Sequence, residues 1–152
     1  MSDPLTFPST TPRHALPLLF AGQAQKELFV NAALALCDVL LAPAVEGETS
    51  APPASPAEGA CWLVGPAASG DFAGREGQLA CRQAGQWLFV PPRDGMRVLD
   101  RPSGQHVLYR GGWRRQVAVP VPSGGATIDQ EARAAIGALI GALAGSGILP
   151  GI

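Results

Sequence analysis

One predicted helix constrains the fold of this chain more than any other feature, because it is apolar around most of its circumference. Over residues 22–41 apolar side chains recur at the helical period, whereas the polar residues Glu27, Asn31 and Asp38 fall on one narrow stripe. Such a helix is expected to be buried on most sides. It either packs against another subunit or lies at the centre of its own chain, wrapped by its own sheet.

The composition agrees with apolar surface that a partner covers. Charged residues make up 15% of the 152 residues, and hydrophobic residues make up 47%. Typical soluble domains contain about 25% charged residues. The formal net charge of -1 excludes a strongly basic nucleic-acid binder as a property of the whole chain. The length suits one modest domain.

Proline and glycine divide the chain into four predicted segments. Residues 1–41 form an amino-terminal arm and an assembly helix, and residues 42–59 form an exposed, proline-rich linker. Residues 60–118 form a β module, and residues 119–152 form a second linker and a carboxyl-terminal helix.

The β module is predicted to be a small antiparallel meander. Its residues alternate with a period of two, and short turns rich in Gly, Pro, Asp and Ser separate the runs. Connections this short favour antiparallel neighbours over crossover helices. The predicted strands are 61–64, 78–82, 86–90, 96–100, 106–110 and 113–117.

The second predicted helix covers residues 128–144 and ends at Gly145. Thr127 and Gln130 have the spacing of a capping box at its start. Small residues recur every fourth position along it, which suits close packing in a core or at a subunit interface. Membrane insertion is not expected, because glycines and a proline interrupt a length barely able to span a bilayer.

Apolar residues of the two helices are the candidates for an oligomer interface. Closed cyclic symmetry is the usual solution for a chain with such faces. The candidates are Leu28, Phe29, Leu36, Leu40, Ile136, Leu139, Ile140 and Leu143.

The three cysteines, Cys37, Cys61 and Cys81, fit neither a disulfide framework nor the paired ligands of a zinc site. We expect buried free thiols. Cys61 and Cys81 can meet across neighbouring strands, but a reducing compartment makes them a thiol pair by default. The amino end lacks a basic start followed by an apolar core, so no signal peptide is expected and the chain is expected to fold in a cytoplasm.

Catalytic and metal-binding motifs are not found in the sequence. His14 and His106 have no Cys, Asp or Glu at metal-ligand spacing, and no serine-hydrolase, zinc-protease or phosphate-loop motif occurs. We therefore expect no enzymatic activity, no metal and no cofactor.

Arginine and aromatic residues are concentrated in the second half of the β module. Seven arginines against two aspartates give residues 82–115 a local charge of +5. These residues have two interpretations. In the first they bind a ligand, since aromatic rings stack on sugars and guanidinium groups hold carboxylates or phosphates. In the second the rings fill the core of the sheet and the arginines cover its solvated face. Trp62 and Trp87 favour the core, whereas Trp113 favours the surface. The candidate ligand-binding residues are Trp87, Tyr109, Trp113, Arg110 and Arg114.

One stretch resembles the amino-terminal signature of an uncharacterised family found in phages and gene transfer agents of alphaproteobacteria. It reads PRHALPLLFAGQAQKELFVNAALALCDVLL, from Pro12 to Leu41. Members of that family begin with a TxRLxLPxLxAGQAQKxxxxNExLxxLDxL pattern. The Gly and Trp pattern of residues 52–99 is also similar to the family, so the resemblance covers most of residues 12–115. Phe72 stands where many relatives have Trp, and Met96 stands where an aromatic residue is common.

The resemblance implies a virion component of a tail fibre, a spike or their attachment region, usually trimeric, that adheres to the host surface. It supplies no catalytic residues. Combined with the residue patterns, it predicts an α+β chain that forms an intertwined homo-oligomer, made in the bacterial cytoplasm and located in a virion or phage-like particle. The expected partners are other copies, other virion proteins and host-surface polysaccharide, with no nucleic acid and no membrane insertion. The alternatives are a carbohydrate-binding adhesin for capsule or lipopolysaccharide and, less favoured, a polysaccharide depolymerase.

Overall fold

The computed structural model describes residues 10–22, 26–125 and 129–150. The chain is α+β, with two helices, eight strands and one 3-10 turn (Gly70–Phe72) among the described residues. In chain order the helices and strands are α1 (Lys26–Leu41), β1 (Ala44–Val45), β2 (Glu48–Thr49), β3 (Cys61–Val64), β4 (Leu79–Gln83), β5 (Gln86–Val90), β6 (Arg97–Asp100), β7 (Gln105–Tyr109), β8 (Trp113–Arg114) and α2 (Gln130–Gly145).

The chain divides into two compact units, each with a four-stranded sheet. The first unit contains the described part of Met1–Pro43 together with Glu48–Pro92, and its sheet has the order β2-β3-β4-β5. The second unit contains Ala44–Gly47 and the described part of Arg93–Ile152, and its sheet has the order β1-β6-β7-β8. We call these the first sheet and the second sheet.

The first sheet is built around the β4–β5 hairpin. Ala84 and Gly85 form its two-residue turn with φ values of 50° and 74°, and positive φ at both positions matches the twist of a tight hairpin. On one face of this sheet Val64, Phe72 and Ala80 form a buried apolar cluster, against which Trp87 packs. The hairpin therefore has one face closed by its own aromatic cluster.

The second sheet has its core on the face that carries Val98 and Val107, which are paired in register and fully buried. Gln105 is also buried, and its amide donates to the backbone carbonyls of Gln116 and Ile148 at 3.1 Å each. The His106 N–H donates to the carbonyl of Gly147. These bonds attach the chain that follows α2 to strand β7.

The antiparallel pairing of consecutive strands predicted from the sequence is confirmed for β3-β4-β5 and for β6-β7-β8. The prediction of one meander is wrong, because the strands form two sheets, and both sheets are mixed, since β1 pairs in parallel with β6 and β2 pairs in parallel with β3. Both short strands lie in the segment 42–59 that was predicted to be an exposed linker, and Val45 in β1 is fully buried. Strands of two residues carry no detectable period, so the sequence pattern does not reveal them.

The predicted strands agree with the structure in their central residues and differ at their ends. The ranges 61–64 and 86–90 match β3 and β5. The ranges 78–82 and 106–110 are each shifted by one residue, the range 96–100 begins one residue early, and the range 113–117 ends three residues late. The predicted strand 113–117 is reduced to Trp113–Arg114. Residues 115–125 follow β8 outside any helix or strand and are exposed.

The first helix has the predicted end but not the predicted environment. It begins at Lys26 among the described residues, while residues 23–25 of the predicted range lie outside them. Burial on most sides is wrong for the single chain, since Asp38 and Val39 are the buried residues of α1. Most of its apolar side chains face solvent.

The second helix is capped by a different residue from the one predicted. Asp129 is the N-cap, and its carboxylate accepts a hydrogen bond from the Ala132 N–H at 2.9 Å. The predicted cap, Thr127, lies outside the described residues. Gly147 follows the helix with a φ of 72°, and a Cβ there would meet His106 Cδ2 at 2.8 Å, so this position requires glycine.

The cysteines also differ from expectation. Cys61 and Cys81 face each other across β3 and β4, are buried and form a disulfide bond, instead of remaining a thiol pair. Cys37 on α1 is a free thiol but is exposed, so the expectation that it is buried is wrong.

Candidate functional site

The polar stripe of α1 binds the chain's own amino-terminal arm, which we define as residues 10–22. Asn31 makes two hydrogen bonds with the backbone of Leu19: its Oδ1 accepts from the Leu19 N–H at 2.9 Å and its Nδ2 donates to the Leu19 carbonyl at 3.0 Å. Glu27 accepts from the Gly22 N–H at 3.2 Å. Because Gly22, Leu19 and the residues before them meet successively later turns of α1, the arm runs antiparallel to the helix.

Asp38 is the deepest member of this stripe and is fully buried. Its carboxylate accepts from the Thr11 hydroxyl at 2.7 Å and from the N–H groups of Arg13 at 3.0 Å and His14 at 2.7 Å. It also accepts from the Gln83 amide of β4 at 3.2 Å. One carboxylate therefore joins the arm, α1 and the first sheet.

The environment of Asp38 keeps it ionised. Burial raises the pKa of its carboxyl group, but the hydrogen bonds from Thr11, Arg13, His14 and Gln83 together outweigh burial and lower the pKa below its ordinary value of 3.8. The network is thus a structural clamp on the arm. It has the four donors that a buried carboxylate needs, which leaves it no open position for a substrate.

Arg13 extends the clamp toward the disulfide. Its Nη2 donates to the Ala42 carbonyl at 2.7 Å, just after α1, and its Nη1 donates to Cys61 Sγ at 3.1 Å. The arm is therefore attached at both the end of α1 and the start of β3.

Opposite the polar stripe and along both of its flanks, α1 is apolar and open to solvent, except for the exposed Lys26 at its first position. Six large side chains of α1 are between 37% and 80% exposed, and Phe29 is the most exposed of them. They are Leu28, Phe29, Val30, Leu36, Leu40 and Leu41. All four interface candidates predicted on this helix are thus accessible in the single chain.

The four interface candidates on α2 differ in their exposure to solvent. Ile136 and Leu139 are exposed, at 42% and 60%, whereas Ile140 is buried at 6% and Leu143 is half-buried. Ile140 and Leu143 therefore pack within their own chain. The remaining exposed surface of α2 consists mainly of alanine and glycine.

Trp87 lies in the aromatic cluster of the first sheet. Its ring is edge-on to Phe72 at 4.9 Å and to Trp62 at 5.8 Å between centroids. The Arg82 guanidinium lies over the same ring at 5.4 Å from its centroid. Trp87 is thus mainly a packing residue. This agrees with the core position that the sequence favours for Trp62 and Trp87.

The other four ligand candidates belong to the second unit. Tyr109 and Trp113 are paired across β7 and β8, with ring centroids 5.2 Å apart and an edge-on geometry. Arg114 pairs with Leu108, so pleat alternation places it on the opposite face of the sheet from these rings. Arg110 is exposed in the turn between the two strands. The structure thus brings together two of the five predicted ligand residues.

A cleft of about 740 Å³ lies within the first unit, between the arm, α1 and the β4–β5 hairpin. Ala32 and Ala35 of α1 and Leu18 of the arm contribute its apolar walls, and Gln83 and Gln86 contribute amides from the sheet. The Gln83 amide is already bonded to Asp38. The sequence did not predict this cleft, which depends on the arm lying beside the helix.

Neither metal-ligand clusters nor membrane-spanning helices occur in the described ranges. No three of the His, Cys, Asp and Glu side chains placed there come together in a group that could hold a metal ion. Neither helix in those ranges is long and apolar enough to cross a bilayer. His14 and His106 are both exposed, and each takes part in the fold through its backbone N–H.

Comparison with known proteins identifies one family. The model of the family described as protein of unknown function (DUF2793) matches residues 30–114, which is more than half of the chain. The chain belongs to this family. The DUF2793 region begins in the second turn of α1 and ends in β8, so it contains all eight strands, while the arm and α2 lie outside it. No curated protein matches the chain.

The DUF2793 region includes Asn31 and Asp38 but not the arm that they bind. Sequence reasoning found the polar stripe and missed its role. Asp38 is the residue that could have indicated this role, because a carboxylate on a mostly apolar helix must accept hydrogen bonds from another segment if it is buried.

Proposed function

We propose that the chain is a non-enzymatic structural component of a phage-like particle, either a gene transfer agent or a phage tail fibre or head spike. It assembles as a homo-oligomer, with three copies expected, and contributes to attachment to the host surface. The observation that carries the proposal is the inverted environment of α1. Its polar residues are covered by the arm of the same chain, and its apolar residues are open to solvent.

The exposed face of α1 gives assembly a driving force. The exposed fractions of its six large apolar side chains correspond to about three fully exposed side chains, and their burial is worth about 6 kcal/mol per chain. A contiguous apolar patch of this kind marks an interaction site in a soluble chain. Association must still overcome the loss of rotational and translational freedom, so additional contacts from other parts of the chain are expected.

The setting in a particle is supported by the resemblance of residues 12–41 to the signature found in phages and gene transfer agents. The structure gives physical roles to two positions of that signature, since its Asn and Asp correspond to Asn31 and Asp38, which hold the arm. The DUF2793 description supplies no activity. The particle setting is therefore proposed from the resemblance and from the exposed face together.

Sedimentation tests this setting. Particles are purified by density gradient from cells that encode the chain, and the chain is located with an antibody. We expect it to sediment with particle DNA and to remain there after washing in high salt. Its presence in the slowly sedimenting soluble fraction alone would contradict the proposal.

A carbohydrate-binding adhesin is the second candidate, and one observation favours it. Tyr109 and Trp113 form a half-exposed ring pair, and the exposed Arg110 follows Tyr109 in the chain. Exposed aromatic rings of this kind suit the apolar face of a sugar.

The sheet offers a matched control for this candidate. Trp113→Ala combined with Arg110→Ala is expected to abolish binding to immobilised capsular polysaccharide or lipopolysaccharide while assembly is retained. Arg114→Ala, on the opposite face, is expected to leave that binding unchanged. Equal binding by all variants would remove the adhesin candidate without affecting the structural one.

A further inference from the structure

The Cys61–Cys81 disulfide lies beneath the arm in the first unit. The two cysteines are paired in register, so their side chains share one face of the first sheet, and Gln83 shares that face because it lies two residues after Cys81. Asp38 accepts a hydrogen bond from Gln83 there, so the end of α1 and the arm that it holds cover this face. The cysteines are thus closed to solvent, at 2% and 0% exposure.

Arg13 is the arm residue in direct contact with the disulfide. Its Nη1 donates to Cys61 Sγ at 3.1 Å. The arm also passes close to the backbone before β3, because a Cβ added at Gly59 would meet Arg13 Cγ at 3.1 Å and Pro12 Cβ at 3.3 Å. A thiol that approaches Cys61 from the side of the arm therefore meets Arg13 first.

Polar contacts hold the arm, which makes it easier to release than the sheet beneath it. Thr11 is the only buried residue of the arm, and Asp38 accepts hydrogen bonds from its hydroxyl group and from two N–H groups of the arm. By contrast, Leu63 and Leu79 of the first sheet are each 1% exposed. Segments with few buried apolar contacts open at a lower free-energy cost than the core. The arm is therefore expected to open locally while the first sheet stays folded.

We propose that the arm is a lid over the Cys61–Cys81 disulfide and that release of the arm controls the exchange of this bond with thiols. While the lid is seated, the bond is protected from thiols in solution. Reduction requires Arg13 to move away from Cys61 first. The redox state of the pair therefore depends on the arm as well as on the compartment that contains the chain. This inference is independent of the particle setting and of the homo-oligomer.

The reaction that the lid controls is thiol–disulfide exchange. With dithiothreitol as the reductant, one of its thiolates attacks Cys61 Sγ, the bond between the two cysteine sulfurs breaks, and Cys81 leaves as a thiolate. The second thiolate of the reagent then attacks the reagent sulfur that is bound to Cys61, which closes a cyclic disulfide and releases Cys61. The reagent loses two electrons, and its two thiol protons end on the two cysteines.

Reduction kinetics test the lid. The oxidised protein is prepared in a Cys37→Ser background, so that every thiol that forms comes from the disulfide. Dithiothreitol is added, samples are quenched with a maleimide of known mass, and the new thiols are counted over time. We expect Arg13→Ala to be reduced about tenfold faster than the background protein, because the loss of its hydrogen bonds raises the population with an open arm. Arg75→Ala, at an exposed arginine over the Phe89 ring, is the matched control and should keep the background rate.

The direction of the change distinguishes a lid from electrostatic activation. A guanidinium group beside Cys61 favours a thiolate there, so its removal would slow the exchange if activation were the role of Arg13. Slower reduction of Arg13→Ala than of the background protein would overturn the lid. Equal rates for Arg13→Ala and Arg75→Ala would overturn it as well.

A core substitution separates local opening from unfolding. Phe72→Leu removes packing from the buried apolar cluster on the opposite face of the first sheet, so it lowers the stability without changing a contact of the arm. We expect it to keep the background rate of reduction. A rate as fast as that of Arg13→Ala would mean that the exchange proceeds through unfolding, and this result would overturn the inference.

Urea provides a test that needs no further substitution. Opening of the arm exposes little surface, so the reduction rate of the background protein should change little with urea at concentrations below the unfolding transition. A rate that rises with the full urea dependence of unfolding would contradict the lid.

Discussion

Asp38 shows how a single residue determines which surface of this molecule is free. A buried carboxylate is costly unless donors surround it, and here four donors come from the arm and from β4. The arm therefore lies on the polar side of α1, and the apolar side is left open.

Trp113 and Arg114 show how strand alternation limits a ligand site. They are adjacent in a strand, so their side chains lie on opposite faces of the sheet and cannot contact one ligand together, which alternation alone could have predicted.

Removal of the Asp38 carboxylate should destabilise the fold. Asp38→Ala leaves the buried donors of Thr11 and Gln83 without their acceptor, and we expect a loss of about 3 kcal/mol in the free energy of unfolding. Urea denaturation measures it. Asp71→Ala, at an exposed carboxylate in the 3-10 turn, serves as the control and should change the free energy of unfolding by less than about 0.5 kcal/mol. Equal losses in the two variants would contradict the role given to Asp38.

The lowered pKa of Asp38 also predicts a pH dependence. Since the folded chain holds this carboxyl group below its ordinary pKa of 3.8, the unfolded chain takes up the proton first on acidification. The contribution of Asp38 to stability is complete above about pH 4 and is lost as the pH falls through the folded pKa. The free energy of unfolding of the unmodified protein should therefore decline more steeply below pH 4 than that of Asp38→Asn. Identical slopes for the two proteins would contradict this prediction.

At the scale of elements, the local features are those that the sequence predicts well. The β4–β5 hairpin and the extent of α1 follow from periodicity and turn residues that lie close together in the chain. The parallel pairs of β1 with β6 and β2 with β3 do not, because each brings together distant segments through only two residues. Periodicity also predicts that α1 has a narrow polar side, but not that its own arm covers this side.

The disulfide joins two elements and should contribute to their stability. Cys61 and Cys81 are 20 residues apart, and closing a loop of this length is worth about 3 kcal/mol in the chain-entropy account. A variant with Cys61→Ala and Cys81→Ala should therefore unfold at lower urea concentration than the unmodified, oxidised protein. Cys37→Ala, at the exposed free thiol, should leave the midpoint unchanged. Equal midpoints for all three proteins would contradict a stabilising bond.

At the scale of the whole molecule, the proposed assembly depends on surface that one chain leaves uncovered. The described residues expose large apolar side chains on α1, on α2 and in the segment after β8, where Val117 is 85% exposed. Composition indicated such surface, because only 15% of the residues are charged. The number of copies and the neighbours in a particle depend on contacts between chains, which neither periodicity nor the fold of one chain contains.

The solution mass of the purified protein, measured by light scattering across a range of concentrations, decides whether the chain assembles with copies of itself. We predict a stable mass of at least two chains, with about three times 15.6 kDa expected, that does not fall on dilution to low micromolar concentration. A folded monomer of 15.6 kDa at every concentration would contradict it, because the exposed face of α1 would then have no second copy to cover it.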